Sequence, residues 1–257
     1  MSDAGKNWNV VTGCDKYSDG CLNCYAEDVV EWLKGLGQKA YVKNGFNLTC
    51  HYDKLDWPLT NLAKKPKKPA KSFVTDMGDL FHVKVPDDFI AQVFEAMIKV
   101  PQHRFYVLTK RAERLGGIGP RLPWRPWIWA GVTVESEKYV NRIDHLKKLP
   151  PEVNKFIMME PLLSPMPKLD FSGINWVVVG GESNKKERFR PINEGWVAGI
   201  HQSVDQPVPV IGGLNHQSFE LIPKRFQCLQ NNIKIVGDSL FKDAFEIGVQ
   251  NPNVGIC

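Results

Sequence analysis

The sequence predicts an α/β fold, a complete or partial (β/α) barrel, and three observations carry that prediction. Seven short segments rich in β-branched and aromatic residues recur along the chain. Helical apolar stripes lie between several of them, and nearly all end in polar, charged or glycine residues. Near-continuous apolar runs of this length fit strands buried on both faces of a parallel sheet. Repeated strand–helix units imply right-handed crossovers, and the carboxyl ends of such strands line the active site. A doubly wound open sheet is the main alternative.

In chain order, the first segment is NVVT (residues 9–12). A turn-rich loop follows, then a helical stripe of Tyr25, Val29, Trp32, Leu33 and Leu36, ended by Gly35 and Gly37. The basic, proline-broken stretch KKPKKPAK (64–71) suits neither a helix nor a strand interior. SFVTD (72–76) is the second strand candidate. A stripe of Phe89, Val93, Phe94, Met97 and Ile98 follows it, opened by Pro86, Asp87 and Asp88 and closed before Pro101. RFYVLTK (104–110) and WIWAGVTVE (127–135) come next, and Tyr139, Ile143 and Leu146 outline a third helix. KFIMMEP (155–161), NWVVVGGE (175–182) and PVPVIGG (207–213) complete the set, and the segment beyond Gly213 fits an appended cap.

A chain of 257 residues buries a sizeable core and fits one domain. With 24% charged and 43% hydrophobic residues it has a globular, not a disordered, composition. Apolar runs such as WVVV (176–179) are far too short to cross a bilayer, and MSDAGKNWN lacks the basic and apolar regions of a secretory signal. The expectation is a cytoplasmic protein with no membrane partner. In that reducing setting clustered cysteines read as metal-binding or catalytic. A net charge of +5 and a pI near 8.8 permit an acidic partner without demanding one.

Three of the six cysteines, Cys14, Cys21 and Cys24, fall in GCDKYSDGCLNCYAE (13–27). Their loop follows the first strand candidate and carries Gly13, Asp15, Ser18, Asp19 and Gly20, which tolerate tight turns. Thiolates select zinc, copper(I) or iron–sulfur clusters. A structural zinc would want a fourth ligand, for which Cys50-His51 is the nearest candidate. An iron–sulfur cluster takes cysteine at each iron, so three cysteines leave one iron free to hold a small molecule. Cys50, Cys228 and Cys257 are too scattered for a second cluster.

The pattern Cys14-x6-Cys21-x2-Cys24 resembles the cluster loop of radical S-adenosylmethionine enzymes. The commonest spacing there is three residues and then two, so the six-residue gap is a departure. The aromatic residue that usually precedes the last cysteine is here Asn23, with Tyr25 just after it. The ordered set WNVVTGC, GCLNCYAE, MGDLFH, LTKR, GVTVE, EPLL and WVVVGGES resembles a phage and prophage family of three-cysteine, radical-SAM-like proteins. That resemblance implies a partial (β/α)6-type TIM barrel over residues 1–213, with 214–257 a C-terminal extension packed on the same domain. It implies a 4Fe–4S cluster on Cys14, Cys21 and Cys24, S-adenosylmethionine on the open iron, and an external electron donor. A phage-encoded member would work in the host cytoplasm.

The resemblance also suggests where S-adenosylmethionine lies. Gly78-Asp79 takes the place of the turn that receives the methionyl ammonium, a group a carboxylate suits; capping the following turn is the alternative role for Asp79. Lys110 or Arg111 would neutralise the methionyl carboxylate, and Thr133 and Glu135 would bond the ribose hydroxyls. Tyr25 borders the cofactor. Glu160 stands among Met158, Met159 and Pro161, an apolar setting that points to a pocket role. Gly180-Gly181 lets backbone approach a ligand or forms a tight turn.

The implied chemistry is reductive cleavage of S-adenosylmethionine to methionine and a 5′-deoxyadenosyl radical that abstracts hydrogen from an unactivated carbon. For substrate, Glu182, Lys185, Lys186, Arg188 and Arg190 stand near the predicted mouth. The lysines of residues 64–71, and Trp124, Trp127 and Trp129 beside Arg121 and Arg125, suit phosphate contacts and base stacking; solvated surface and core are the alternatives. DNA or a modified nucleotide is the expected partner, flipped or single-stranded at the target base. The leading expectation, from family context, is isomerisation of the side chain of a 5-substituted deoxyuridine in phage DNA hypermodification. A radical lyase repairing damaged pyrimidines, as in spore photoproduct lyases, is second. A non-catalytic nucleic-acid-binding protein with structural zinc is third.

Overall fold

The computed structural model describes residues 7–62, 69–182, 190–202, 210–213 and 233–235. Strand β1 (Val11–Thr12) leads into the cysteine loop, and helix α1 (Tyr25–Gly35) starts directly after Cys24. Helix α2 (Lys39–Asn44) and strand β2 (Thr49–Cys50) follow, and β2 pairs antiparallel with β1. The main sheet is built from β3 (Lys71–Val74), α3 (Asp87–Ile98), β4 (Arg104–Thr109), α4 (Ala112–Ile118), β5 (Ile128–Thr133) and α5 (Asn141–Lys147). It continues through β6 (Lys155–Met159), β7 (Trp176–Gly180), α6 (Glu194–Gln202), β8 (Val210–Gly213) and β9 (Ile233–Ile235).

Strands β3 to β9 pair in sequence order, every neighbour parallel. A doubly wound sheet reverses its strand order at a switch point. Here there is no reversal, so the alternative of a doubly wound sheet falls and an arc of the barrel kind stands. The described strands leave that arc open, with no pairing between β9 and β3.

Two expectations need correction. NVVT does not enter the parallel ladder as its first strand: only Val11–Thr12 is extended, and it pairs with the unforeseen β2. It reaches the edge of the main sheet through backbone bonds, from Trp8 N to the Phe73 carbonyl at 2.9 Å and from Gly13 N to the Met77 carbonyl at 2.8 Å. Gly13 makes this possible because its φ is +79° and a Cβ there would lie 2.2 Å from the Asn47 carbonyl oxygen. The stripe on α1 is the second correction. Trp32 and Leu36 are exposed, while Ala26 and Val30 pack on Met77.

The stripe on α3 holds as expected, with Phe89, Val93, Phe94 and Met97 fully buried. Each contributes about 1.5–3 kcal/mol of burial. They join the outward side chains of the strands, such as Val107, Val132, Ile157 and Val179, in one large core. The opposite side chains, Phe73, Tyr106, Trp129, Phe156, Met158 and Trp176, form a separate cluster on the concave face. Gly131 makes room there, since a Cβ would lie 2.2 Å from the Phe156 ring. The period-two alternation of each strand thus assigns one face to the helices and one to the interior of the arc. No helix among the described residues is long and apolar enough to cross a membrane.

Candidate functional site

Above the aromatic floor, the concave face opens into a cavity of about 180 Å³ at the carboxyl ends of the strands. Strand parity aims several groups into it. Lys110 continues the inward series of Tyr106 and Leu108, Thr133 stands two residues past Gly131, and Glu160 continues Phe156 and Met158. The cysteine loop closes one side, so Cys14, Cys21 and Cys24 border the same space. The three thiols do not converge as ligands of a single ion: no group of three His, Cys, Asp or Glu among the described residues does. Cys50 and His51 lie apart from the cavity lining; the His51 Nε2 bonds the Thr12 hydroxyl at 2.8 Å, which makes the pair a packing element of β1 and β2.

Burial pushes the Cys14 thiol up to about 11 and also raises Cys24; for Cys14 the carboxylate of Asp79 adds to the rise and Arg111 opposes it. The Arg111 guanidinium donates to the Cys14 sulfur at 3.6 Å.

Among the described residues, three buried polar atoms in the cavity wall have no hydrogen-bond partner: Thr75 Oγ1, Asp76 Oδ1 and Glu160 Oε2. Unpaired buried polar groups are costly, and these two carboxylate oxygens and one hydroxyl stand where a ligand or water could meet them. Burial raises the Glu160 carboxyl to about 7, with the nearby Lys110 ammonium opposing the rise. Burial raises Asp76 as well, against hydrogen bonds from Asn9 and Asn7. Gly180 leaves the space that Glu160 uses, since a Cβ there would lie 3.1 Å from its carboxyl carbon. Gly181, Gly78 and Tyr25 also line the cavity, and the Tyr25 hydroxyl donates to the Asp76 carbonyl at 2.9 Å.

Other expected site residues are engaged by the chain itself. Asp79 accepts from the Thr109 hydroxyl at 2.7 Å, from Phe81 N at 2.9 Å and from Lys110 N at 3.2 Å, and pairs with Arg111 at 3.4 Å. It caps the turn after β3 and ties it to the end of β4. Glu135 is fully buried against Arg142 at 2.7 Å and accepts from the Ser18 hydroxyl; it is not part of the cavity wall. Glu182 pairs with Arg190 at 2.5 Å and accepts from the Asn23 amide at 3.0 Å, so both residues brace the cysteine loop. Lys185, Lys186 and Arg188 lie outside the described residues, as do most of the lysines of 64–71 and Cys228 and Cys257.

Of the two alternatives for the tryptophans, core is the one observed. Trp124 and Trp129 are buried, the Trp124 indole donates to the Gly119 carbonyl at 2.8 Å, and Trp127 donates to Met97 at 3.1 Å. Trp124 and Trp127 pack on the large core, and Trp129 lies in the concave aromatic cluster. Thr75, Ser18 and Arg142 carry no site signal in the sequence. Asp76 had a visible signal, as the carboxylate ending the SFVTD segment.

A family model described as DUF5131, protein of unknown function, matches residues 2–210. The chain belongs to this family. No curated protein matches it. Among solved structures, it is similar to a spore photoproduct lyase mutant with bound AdoMet and dinucleoside spore photoproduct, at 11% identity and a TM-score of 0.45, over 76% of this chain and 59% of the other. It is also similar to a spore photoproduct lyase complexed with dinucleoside spore photoproduct, at 12% identity and a TM-score of 0.45, over 83% and 58%. The DUF5131 chain thus spans somewhat under three fifths of the length of these lyase chains.

Proposed function

We infer that this DUF5131 protein is a radical S-adenosylmethionine enzyme that acts on a pyrimidine nucleotide. The observation that carries the reading is one cavity, at the carboxyl ends of parallel strands, bordered by three cysteine thiols and by three buried acceptors without partners. The donor set fits the implied groups. Three soft thiols bordering one space suit an iron–sulfur cluster in which each cysteine takes a different iron. Asp76, Thr75 and Glu160 suit an ammonium, and Lys110 suits a carboxylate, which are the two ends of an amino-acid head group. A cluster held by these cysteines would supply the electron needed for reductive cleavage of S-adenosylmethionine.

The chain's own residues have distinct tasks in this reading. Cys14, Cys21 and Cys24 hold the cluster. Asp76 takes over the part expected of Asp79, whose oxygens are already engaged, and Lys110 orients the carboxylate. The aromatic floor and the buried rim keep water from the reacting atoms. Glu160, close to neutrality in its titration, meets a donor on either ligand. The finer reading, isomerisation of the side chain of a 5-substituted deoxyuridine, rests on family context.

The test is anaerobic reconstitution with iron and sulfide, followed by iron and sulfide determination and mass analysis of nucleosides from treated DNA. Four irons per chain and a Cys21→Ala variant that retains none support the reading; a colourless protein with one zinc on these cysteines contradicts it. A nucleoside of unchanged mass and altered retention marks an isomerase, and fragmentation marks a lyase.

A further inference from the structure

The six residues between Cys14 and Cys21 are held at nearly every position from outside the loop. The Ser18 hydroxyl donates to Glu135 Oε1 and lies 3.7 Å from the Cys21 sulfur, while Cys21 N donates to the Ser18 carbonyl at 2.8 Å. Gly20 rests against the same carboxylate, where a Cβ would lie 2.9 Å from Oε1. Asp19 N donates to the Tyr139 hydroxyl at 3.1 Å, and the guanidinium groups of Arg111 and Arg142 lie 4.8 Å and 5.6 Å from the centre of the Tyr17 ring. On the far side, Arg190 donates to the Asp19 carbonyl at 3.0 Å.

The centre of these contacts is a fully buried ion pair. Arg142 donates to Glu135 and to the Thr133 carbonyl, both at 2.7 Å, and so locks the carboxylate to the end of β5. Separating the pair would leave a buried charge without its partner, at a cost of about 3–5 kcal/mol, so the carboxylate is held in place. Glu135 does not line the cavity; it touches the cysteine loop at Gly20 and bonds it through the Ser18 hydroxyl.

We propose that Glu135, braced by Arg142, is a positioning residue that sets the place of Cys21 through the Ser18 hydroxyl. The long gap between the first two cysteines is then a built element that carries its own hydrogen-bonded brace. The inference rests on the reading of the cysteines as cluster ligands, but its main test uses no metal.

Glu135→Ala would leave Arg142 buried without its partner and endanger folding, so the informative variant is Ser18→Ala, which cuts the link and leaves the ion pair intact. The metal-free protein is pulsed with iodoacetamide, and alkylation of each cysteine is followed by peptide mass spectrometry. The expected result is about a fivefold faster reaction at Cys21, the worth of one hydrogen bond, with Cys14 unchanged; the thermal midpoint falls modestly, because Glu135 Oε1 loses a donor. Ser18→Thr, which keeps the hydroxyl, restores the slow rate, and after reconstitution Ser18→Ala loses iron to a chelator faster than the parent. Equal rates in Ser18→Ala and the parent, or equal acceleration at Cys14, Cys21 and Cys24, would overturn the proposal. Failure of the parent to take up iron would instead count against the cluster reading, with the alkylation result standing apart from it.

Discussion

Replacing Asp79 by alanine separates its two roles, structural anchor and cofactor ligand, by their magnitudes. The carboxylate is buried and accepts from Thr109, Phe81 and Lys110 while pairing with Arg111. Removing one partner of a buried ion pair costs about 3–5 kcal/mol, because the other charge is left alone. Arg111 keeps its contacts with the Cys14 sulfur and the Tyr17 ring, which places the loss near the lower end. About 3 kcal/mol lowers the thermal midpoint of a chain this size by roughly 6–12 °C. Asp79→Asn keeps an oxygen for Thr109 and Phe81, so its loss is smaller. Urea denaturation of the metal-free protein measures both. An Asp79→Ala variant within about 0.5 kcal/mol of the parent, the range of an ordinary surface change, would refute the anchoring role and return Asp79 to the ligand set.

Glu160 gives a pH prediction with a definite sign. Its carboxyl rises from 4.5 to about 7 on folding, so the native state holds the proton more tightly and stability is lost as pH climbs from about 4.5 through 7. The difference amounts to at most about 3 kcal/mol. Glu160→Gln is expected to flatten that part of the stability profile between pH 5 and pH 8, and a profile parallel to the parent's would contradict the burial. Gly131→Ala forces a methyl onto the Phe156 ring and is expected to cost about 1–3 kcal/mol of overpacking, or more. A neutral result in denaturant would mean the concave floor is looser than described. Asp76→Asn is expected to weaken S-adenosylmethionine binding about tenfold or more, as befits a lost charged hydrogen bond, in equilibrium dialysis of the reconstituted protein; unchanged binding would remove Asp76 from the ammonium site.

Strand parity explains which parts of the site were legible. Lys110 and Glu160 continue regular strands, so the period of two that buries Tyr106 and Phe156 inward also aims their side chains into the cavity. Glu135 lies two residues past Thr133 and reads the same way in sequence. The strand ends at Thr133, however, and Arg142, supplied by the next helix, takes its carboxylate. Asp79 lies beyond the end of β3, where parity no longer applies and local donors decide. The parallel core was visible because strands buried on both faces leave long apolar runs. NVVT misleads for the converse reason: Val10 and Val11 are buried in the large core and paired with β2, without belonging to the ladder. β2 itself is only two residues long, with no periodicity to betray it.

The central claim is that the three cysteines and the orphaned acceptors serve one reaction centre for S-adenosylmethionine. Its most direct test is the reconstituted protein, free of oxygen, given dithionite and S-adenosylmethionine and assayed for 5′-deoxyadenosine by chromatography. Product in the parent and none in Cys21→Ala is the predicted result. Intact S-adenosylmethionine in the presence of a fully loaded, reduced cluster would contradict the account.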